Sequence, residues 1–209
     1  MYRPSKYRHS VGMSTSTSDA PAWAQTLIQS RRTTLPKRLT GPGPDAAQKS
    51  AILQAASAAP DHDQLLPWRF VEIPVHARSV LGKAFEAALL ERDPDAGAQE
   101  RAQAHEKAMR SPWLLLAVVR TEGAPVEIGA QERLLSAGAA IQNMLLMATA
   151  MGLGSALTSG KAMSSHALRT LFKLPPQEQA LCFINMGHIR DQRTPRARPA
   201  LEQYFSVLD

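Results

Sequence analysis

Two short stretches of the sequence are apolar at nearly every position, and they constrain the fold more than any other feature. Residues 113–119 read WLLLAVV and residues 180–186 read ALCFINM. A strand covered on one face alternates apolar and polar side chains, whereas a continuous apolar run of this length indicates a strand buried on both faces. The other segments must then cover both sides of a sheet. We expect a helix-rich α+β or α/β sandwich with three or four strands.

Apolar spacing and helix stop signals place the remaining elements. The predicted helices span about residues 21–30, 46–58, 76–91, 99–110, 128–151 and 165–172, and two further strands span 68–73 and 155–158. Asp45 is the predicted N-cap of the second helix, whose inward residues are Ile52, Leu53 and Ala56. Gly152 is expected to end the longest helix in a left-handed conformation.

The ends of the chain differ from its body. Residues 1–20 are polar and lack periodicity, so we expect a disordered tail, with residues 21–209 forming one domain. The first helix carries an apolar face of Trp23, Leu27 and Ile28. Residues 134–154 are the one stretch that suggests a membrane span, but Gln142 and Asn143 at its centre favour a buried helix and no membrane partner.

The net charge of +6 is concentrated near the two ends. Residues 1–20 carry +2, residues 21–49 carry +4 and residues 186–209 carry +1, which leaves −1 for residues 50–185. Nucleic-acid binding needs a basic face. Because residues 50–185 carry a charge of only −1, the body of the chain offers no such face. A basic, non-enzymatic nucleic-acid-binding protein is therefore the less favoured alternative, and we expect no nucleic-acid partner. The single cysteine, Cys182, fits a reducing, cytoplasmic location.

Several common catalytic motifs are absent from the sequence. It has no GxGxxG, GxxxxGK[ST], HExxH or GxSxG pattern, and its six histidines lack metal-ligand spacing, so we expect no metal site. Cys182 lies inside an apolar strand, which disfavours a nucleophilic role. A chain of this size without an acid–base pair or nucleophile is either a binding module or an enzyme whose cofactor carries the chemistry.

Three segments offer possible binding chemistry. Arg31 and Arg32, followed by Thr33, are either bases that compensate a helix dipole or a phosphate clamp. The polar loop between Pro60 and Pro67 is either a ligand edge or a plain helix–strand connection. Residues 152–160 are rich in small side chains, which permit backbone approach to a flat ligand but also suit a tight turn.

In this order, the segments resemble the nitroreductase family of FMN-dependent oxidoreductases, and most of all its compact bacterial NAD(P)H nitroreductases. The resemblance covers about residues 22–200. The matching residues are Arg31-Arg32-Thr33, Ala59-Pro60, Pro67-Trp68-Arg69-Phe70, Gly138 to Leu146, Gly152-Leu153-Gly154-Ser155 and Ile184-Asn185-Met186-Gly187-His188.

The resemblance implies a nitroreductase-like three-layer sandwich, in which helices flank a central, mainly antiparallel sheet and a homodimer completes the domain. It implies FMN as cofactor, NAD(P)H as electron donor and ping-pong hydride transfer through flavin N5 to a nitroaromatic, quinone or similar small-molecule oxidant, with no catalytic side chain. The alternative within the fold is a flavoprotein with other chemistry, such as flavin degradation, dehalogenation or ring dehydrogenation.

The resemblance also implies roles for particular residues. Arg31, Arg32 and Thr33 match the flavin-contacting Arg-Arg-Ser of the family, and one of Arg193, Arg196 and Arg198 is expected to close on the FMN phosphate. The proposed flavin-contacting residues are Arg31, Arg32, Thr33, His62, Gln64, Leu157, Thr158, Ser159, Gly160, Arg196 and Arg198.

Two of these sites have features of their own. His62 matches a loop residue that reaches the flavin held mainly by the other subunit, and Gln64 stands where many members have an Asn. The segment Leu157–Gly160 matches the reactive edge of the flavin. An Arg common in the compact branch is missing at Thr158.

The small stretch Gly138–Ala140 and the methionines 144, 147 and 151 are candidates for a subunit contact or for plain core.

Overall fold

The computed structural model describes residues 19–191 and 197–208. Six α-helices are found among these residues: α1 (Ala20–Ser30), α2 (Ala46–Ala56), α3 (Arg78–Leu90), α4 (Ala98–Glu106), α5 (Ala130–Ala150) and α6 (His166–Leu171). The strands are β1 (Leu39–Thr40), β2 (Trp68–Glu72), β3 (Trp113–Arg120), β4 (Gly154–Thr158) and β5 (Glu178–Ile189). Of the predicted tail, residues 1–18 lie outside the described residues, and Ala20 already begins α1.

The sheet is antiparallel at every strand pair of the described residues. β5 is its central strand: β3 and β4 both pair with Phe183–Met186, so they lie on opposite sides of it. β2 extends the sheet beyond β3, and the two-residue β1 pairs with the end of β5. The described residues therefore form five strands instead of the three or four predicted. β1 has only two residues, which is too few to show the alternating apolar pattern by which a strand is recognised in a sequence.

Alternate side chains of β3 enter two separate cores, which explains its unbroken apolar run. Trp113, Leu115, Ala117 and Val119 pack with α2 and α5 on one face. Leu114, Leu116 and Val118 pack on the opposite face, against apolar residues of α3 and α6. The result is an α+β sandwich of three layers with a mainly antiparallel central sheet, as the resemblance implied.

The local signals in the sequence are confirmed at several element ends. The Asp45 carboxylate accepts from Gln48 N at 2.8 Å, which forms a capping box at the start of α2. Ser165 caps α6, and Gly152 has a φ of +73° directly after α5. Among the described residues, no helix is long and apolar enough to cross a membrane.

One expectation about a buried face was wrong. Leu53 is 38% exposed, although Ile52 and Ala56 are buried as predicted, because only one edge of α2 meets the core. The first helix forms as predicted, but its apolar face is uncovered within the described chain: α1 has no buried residue, and Trp23 is 62% exposed. The methionine face of α5 belongs to the core at Met144, while Met147 and Met151 pack partly buried against that core.

A buried arginine fixes the connection from α4 to β3. Arg78 is buried and donates to the carbonyls of Ile73, Ala108 and Ser111 at 2.7, 2.9 and 3.0 Å. Burial lowers the pKa of Arg78, and these three carbonyls supply the hydrogen bonds that the guanidinium loses from water. The short turn Lys107–Met109 is thereby held at a defined distance from β2 and α3.

Candidate functional site

Three guanidinium groups converge at the carboxyl end of α1. Arg198 donates to the carbonyls of Arg31 and Gln29 at 2.9 and 3.4 Å, and Arg32 donates to the same two carbonyls. Within residues 19–191 and 197–208, no carboxylate forms an ion pair with Arg31, Arg32 or Arg198. The cluster therefore combines a helix-capping role with an excess of positive charge.

The charges in this arginine cluster repel one another. Partial burial lowers the pKa of Arg31, and the nearby Arg198 and Arg32 lower it further. A bound anion would remove this repulsion, and guanidinium groups are the donors that best fit phosphate oxygens. The donor set thus matches a phosphate monoester. Of the C-terminal arginines named from the sequence, Arg198 lies in this cluster, whereas Arg193 and Arg196 lie outside the described residues.

The chain after the cluster runs directly onto β4. Thr33 forms a parallel bridge with Ser155, and Thr34 N donates to Ser155 O at 2.8 Å. Gly154 permits this approach: a Cβ atom there would lie 2.8 Å from Leu39 Cδ2 and 3.1 Å from Thr34 Cβ. Thr33 itself is exposed, so its hydroxyl group is available to a ligand held by the arginines.

The predicted segment Leu157–Gly160 begins at the far end of β4. From Ser155 to Thr158 the strand advances about 10 Å. β4 therefore runs from the bridge with Thr33 at Ser155 to the start of the predicted segment Leu157–Gly160. Thr158 is held in place because its Oγ1 accepts from the buried Asn185 at 3.0 Å.

The loop that carries His62 and Gln64 is exposed and conformationally restrained. His62 Nδ1 lies 2.8 Å from Glu132 Oε2, and Leu66 N donates to Asp61 Oδ2 at 2.6 Å. Asp63, Gln64 and Leu66 all have φ values near +50°. Non-glycine residues hold this left-handed conformation at an energetic cost, and such strain is concentrated at functional sites.

The hydrogen bond to Glu132 is the main cause that raises the pKa of His62. Desolvation lowers this pKa by less, and the charges of Asp63, Glu132 and Asp61 raise it again. No hydrogen bond or ion pair of the described residues joins this loop to the arginine cluster or to Leu157–Gly160. Within the described residues, a backbone bridge joins the segment after the arginines to β4, whereas the hydrogen bonds and ion pairs of the loop with His62 and Gln64 go elsewhere.

Cys182 is buried in β5, and burial raises the pKa of its thiol to about 11. The thiolate is then scarce at neutral pH, in agreement with the sequence interpretation.

Sequence reasoning missed the roles of three sets of residues near these segments. Glu132, the partner of His62, lies in the first turn of α5. It is 70 positions from His62 in the sequence, so no local spacing reveals the pair. Asn185, which holds Thr158, was assigned to an apolar strand and to the matching motif 184–188 but was given no role of its own. A polar residue inside an apolar run was the available signal. Four cations line a cleft together with Thr158 and Gly160. Lys161 directly follows Gly160, whereas Arg92, Lys107 and Arg110 come from two distant segments.

The model of the nitroreductase family matches residues 28–188, which is most of the chain. The chain belongs to the nitroreductase family. A Haemophilus influenzae protein that is provisionally named an NAD(P)H nitroreductase is 31% identical over 164 residues, covering 78% of this chain and 87% of the relative.

Solved structures agree on the fold. A nitroreductase-like family protein from Bacillus cereus superposes with a TM-score of 0.75 at 20% identity, covering 94% of this chain and 98% of the other. A nitroreductase with bound FMN from Bacteroides fragilis has a TM-score of 0.65 at 17% identity, covering 88% of this chain and 98% of that structure.

Proposed function

We propose that the protein is an FMN-dependent NAD(P)H oxidoreductase that transfers hydride in a ping-pong cycle to a nitroaromatic, quinone or similar oxidant. The observation that carries this proposal is the arginine cluster of Arg31, Arg32 and Arg198, which lacks carboxylate partners among the described residues and is followed by Thr33, which pairs with β4 at Ser155. The names of the curated relatives support the electron donor, and the FMN-bound neighbour supports the cofactor.

The residues of the cluster fit the phosphate end of FMN. Arg31, Arg32 and Arg198 would hold the phosphate dianion, and the exposed Thr33 hydroxyl would donate one further hydrogen bond. The backbone of Leu157–Gly160 would border the isoalloxazine ring, since the small side chains of Ser159 and Gly160 allow close approach. When bound, FMN supplies the hydride acceptor and donor that the side chains of this chain do not provide.

We propose that a second copy of the chain completes the site. Leu66, in the same loop as His62 and Gln64, is 61% exposed, and Leu135 on α5 is 73% exposed. Together with the uncovered face of α1, these exposed apolar side chains offer surface for a subunit contact. A homodimer would cover them and bring His62 and Gln64 to the FMN of the other subunit.

Substitution of the cluster tests the proposed cofactor. Each Arg→Ala change at Arg31 or Arg32 removes a charge-assisted hydrogen bond worth roughly 1.5–3 kcal/mol. We expect FMN to bind about 10- to 150-fold more weakly to either variant, measured by fluorescence quenching of free FMN.

Arg190→Ala is the matched control, since Arg190 is exposed and pairs only with its neighbour Asp191 among the described residues. Unchanged FMN affinity in R31A and R32A, with a lowered melting temperature, would assign these arginines to helix capping alone and reject the proposal.

A further inference from the structure

A cleft of about 550 Å³ opens between α3, α4 and the segment that follows β4. Thr158, Ser159 and Gly160 form one wall, and the turn after α4 forms another. This volume accommodates a substituted aromatic ring with some water. Arg31, Arg32 and Thr33 do not line the cleft, so it is separate from the proposed phosphate position while touching the proposed edge of the flavin ring.

The rim of the cleft is cationic. Arg92, Lys107, Arg110 and Lys161 line it, against a single acidic residue, Glu100. The Glu100 carboxylate is engaged by Gly97 N at 3.0 Å, where it caps α4. Arg110 lies 3.6 Å from Glu106, but Arg92, Lys107 and Lys161 form no ion pair with any described residue. Three positive charges around one opening thus have no ion-pair partner among the described residues, and only the Glu100 carboxylate opposes them.

The inner part of the cleft is apolar and aromatic. Phe85 and Phe183 contribute to it, with ring centroids 5.4 Å apart in an edge-to-face arrangement, and Leu89 and Met163 lie beside them. An aromatic ligand gains from such a surface by burial and by ring contacts. The buried Arg78 fixes the turn that carries Lys107, so the cationic rim is placed at a defined distance from this surface.

We propose that the cleft selects an anionic aromatic electron acceptor, such as a nitroaromatic carboxylate. The ring packs on the Phe85 and Phe183 side, the carboxylate meets Lys107, Lys161 and Arg92, and the reducible group faces Thr158–Gly160. This inference rests on the proposed oxidoreductase function and names its substrate class.

The overall reaction balances in two-electron steps. A nitro compound, NAD(P)H and one proton from solvent give the nitroso compound, NAD(P)⁺ and water: one N–O bond breaks, nitrogen is reduced by two electrons and the nicotinamide is oxidised by two. The carboxylate of the acceptor is unchanged, so its charge serves only recognition.

Equilibrium binding to the FMN-loaded protein tests the inference. The probes are 4-nitrobenzoate and 4-nitrobenzamide, which share size and ring but differ in charge. By calorimetry we expect the carboxylate to bind more tightly than the amide, with a preference that shrinks at high ionic strength. In the double variant K107Q/K161Q we expect carboxylate binding to weaken roughly 10-fold and amide binding to stay the same.

Lys83→Gln is the control, because Lys83 is an exposed lysine of α3 that does not line the cleft. Equal binding of both probes, or an equal loss in K83Q, would overturn the inference. Displacement of the carboxylate by added FMN would also overturn the inference. The same holds if K107Q/K161Q affects only the half-reaction in which NAD(P)H reduces the flavin. In either case the positive charges would bind the phosphate of FMN or of NAD(P)H instead of a carboxylate substrate. A chain that binds no FMN would instead reject the proposed function.

Discussion

At the scale of single residues, the structure shows one of the two roles that the sequence left open for the arginines of the candidate site. The sequence left Arg31 and Arg32 open as either helix-capping bases or phosphate ligands, and the structure shows Arg32 and Arg198 bonded to the last carbonyls of α1. These contacts orient the guanidinium groups without neutralising them. The positive charge of the cluster has no carboxylate partner among the described residues, so it is available to the phosphate that we propose it binds.

His62 gives a prediction at the same scale. Because its hydrogen bond to Glu132 raises the pKa of His62, Glu132→Gln should lower that pKa. A histidine with a raised folded-state pKa contributes stability below its unfolded pKa of about 6.5, and this contribution disappears as the pH rises through the higher folded value. The pair is exposed, so the effect on stability should be small.

NMR titration of the His62 ring protons measures this pKa directly. Asp63→Asn is the control, since the Asp63 carboxylate lies 4.0 Å away and has a smaller influence on His62 than Glu132 has. A His62 titration that E132Q leaves unchanged would show that the contact with Glu132 is not maintained in solution.

At the scale of elements, the site depends on close contact between strands and neighbouring loops. Gly187 in β5 pairs with Gly154 in β4, and both positions lack room for a side chain. A Cβ atom at Gly187 would lie 2.7 Å from Pro112 Cγ and 3.1 Å from the carbonyl oxygen of Thr40. A proline ring and a backbone carbonyl cannot move aside cheaply, so this junction fixes β1, β5 and the start of β3 together.

Gly187→Ala should therefore destabilise the fold by about 1–3 kcal/mol, the usual cost of overpacking, measured by urea unfolding. Gly138→Ala is a contrasting substitution on α5, where a Cβ atom would meet nothing within 4 Å in the chain. It should leave the unfolding free energy of the chain unchanged or raise it by about 0.5–1 kcal/mol. Equal destabilisation in both variants would contradict the packing argument.

At the scale of the whole molecule, the proposed flavin-contacting residues fall into two groups. The arginine cluster and β4 belong to one region of the chain, and the restrained loop with His62 and Gln64 makes no hydrogen bond to it among the described residues. The exposed apolar side chains on α1, α5 and that loop belong to the surface that we propose a second copy covers.

We expect the FMN-loaded protein to sediment at twice the chain mass of 22.7 kDa. The double variant W23D/I28D should shift it to the monomer and weaken FMN binding, because Trp23 and Ile28 are 62% and 55% exposed on a helix with no buried residue. Val75→Asp, at another exposed apolar position, should leave the dimer intact. A stable FMN-loaded monomer would contradict the proposed assembly.

The sequence alone determined most of the elements, since these follow from local patterns. The apolar runs at 113–119 and 180–186 required two covered faces, Asp45 and Gly152 marked helix ends, and the ordered motifs indicated the family. The two-residue β1 and the exposure of Leu53 escaped prediction, because pairing and burial at those positions depend on distant strands and helices.

Only the tertiary structure decided which distant residues meet. It joined Arg198 to Arg31 across 167 positions and Glu132 to His62 across 70. It also gathered Arg92, Lys107 and Lys161 around one cleft beside Thr158, although nothing in their local sequence marks them as a group. The physical reason is that helix and strand signals arise within a few residues, whereas charge clusters and clefts arise where the folded chain brings separate segments together.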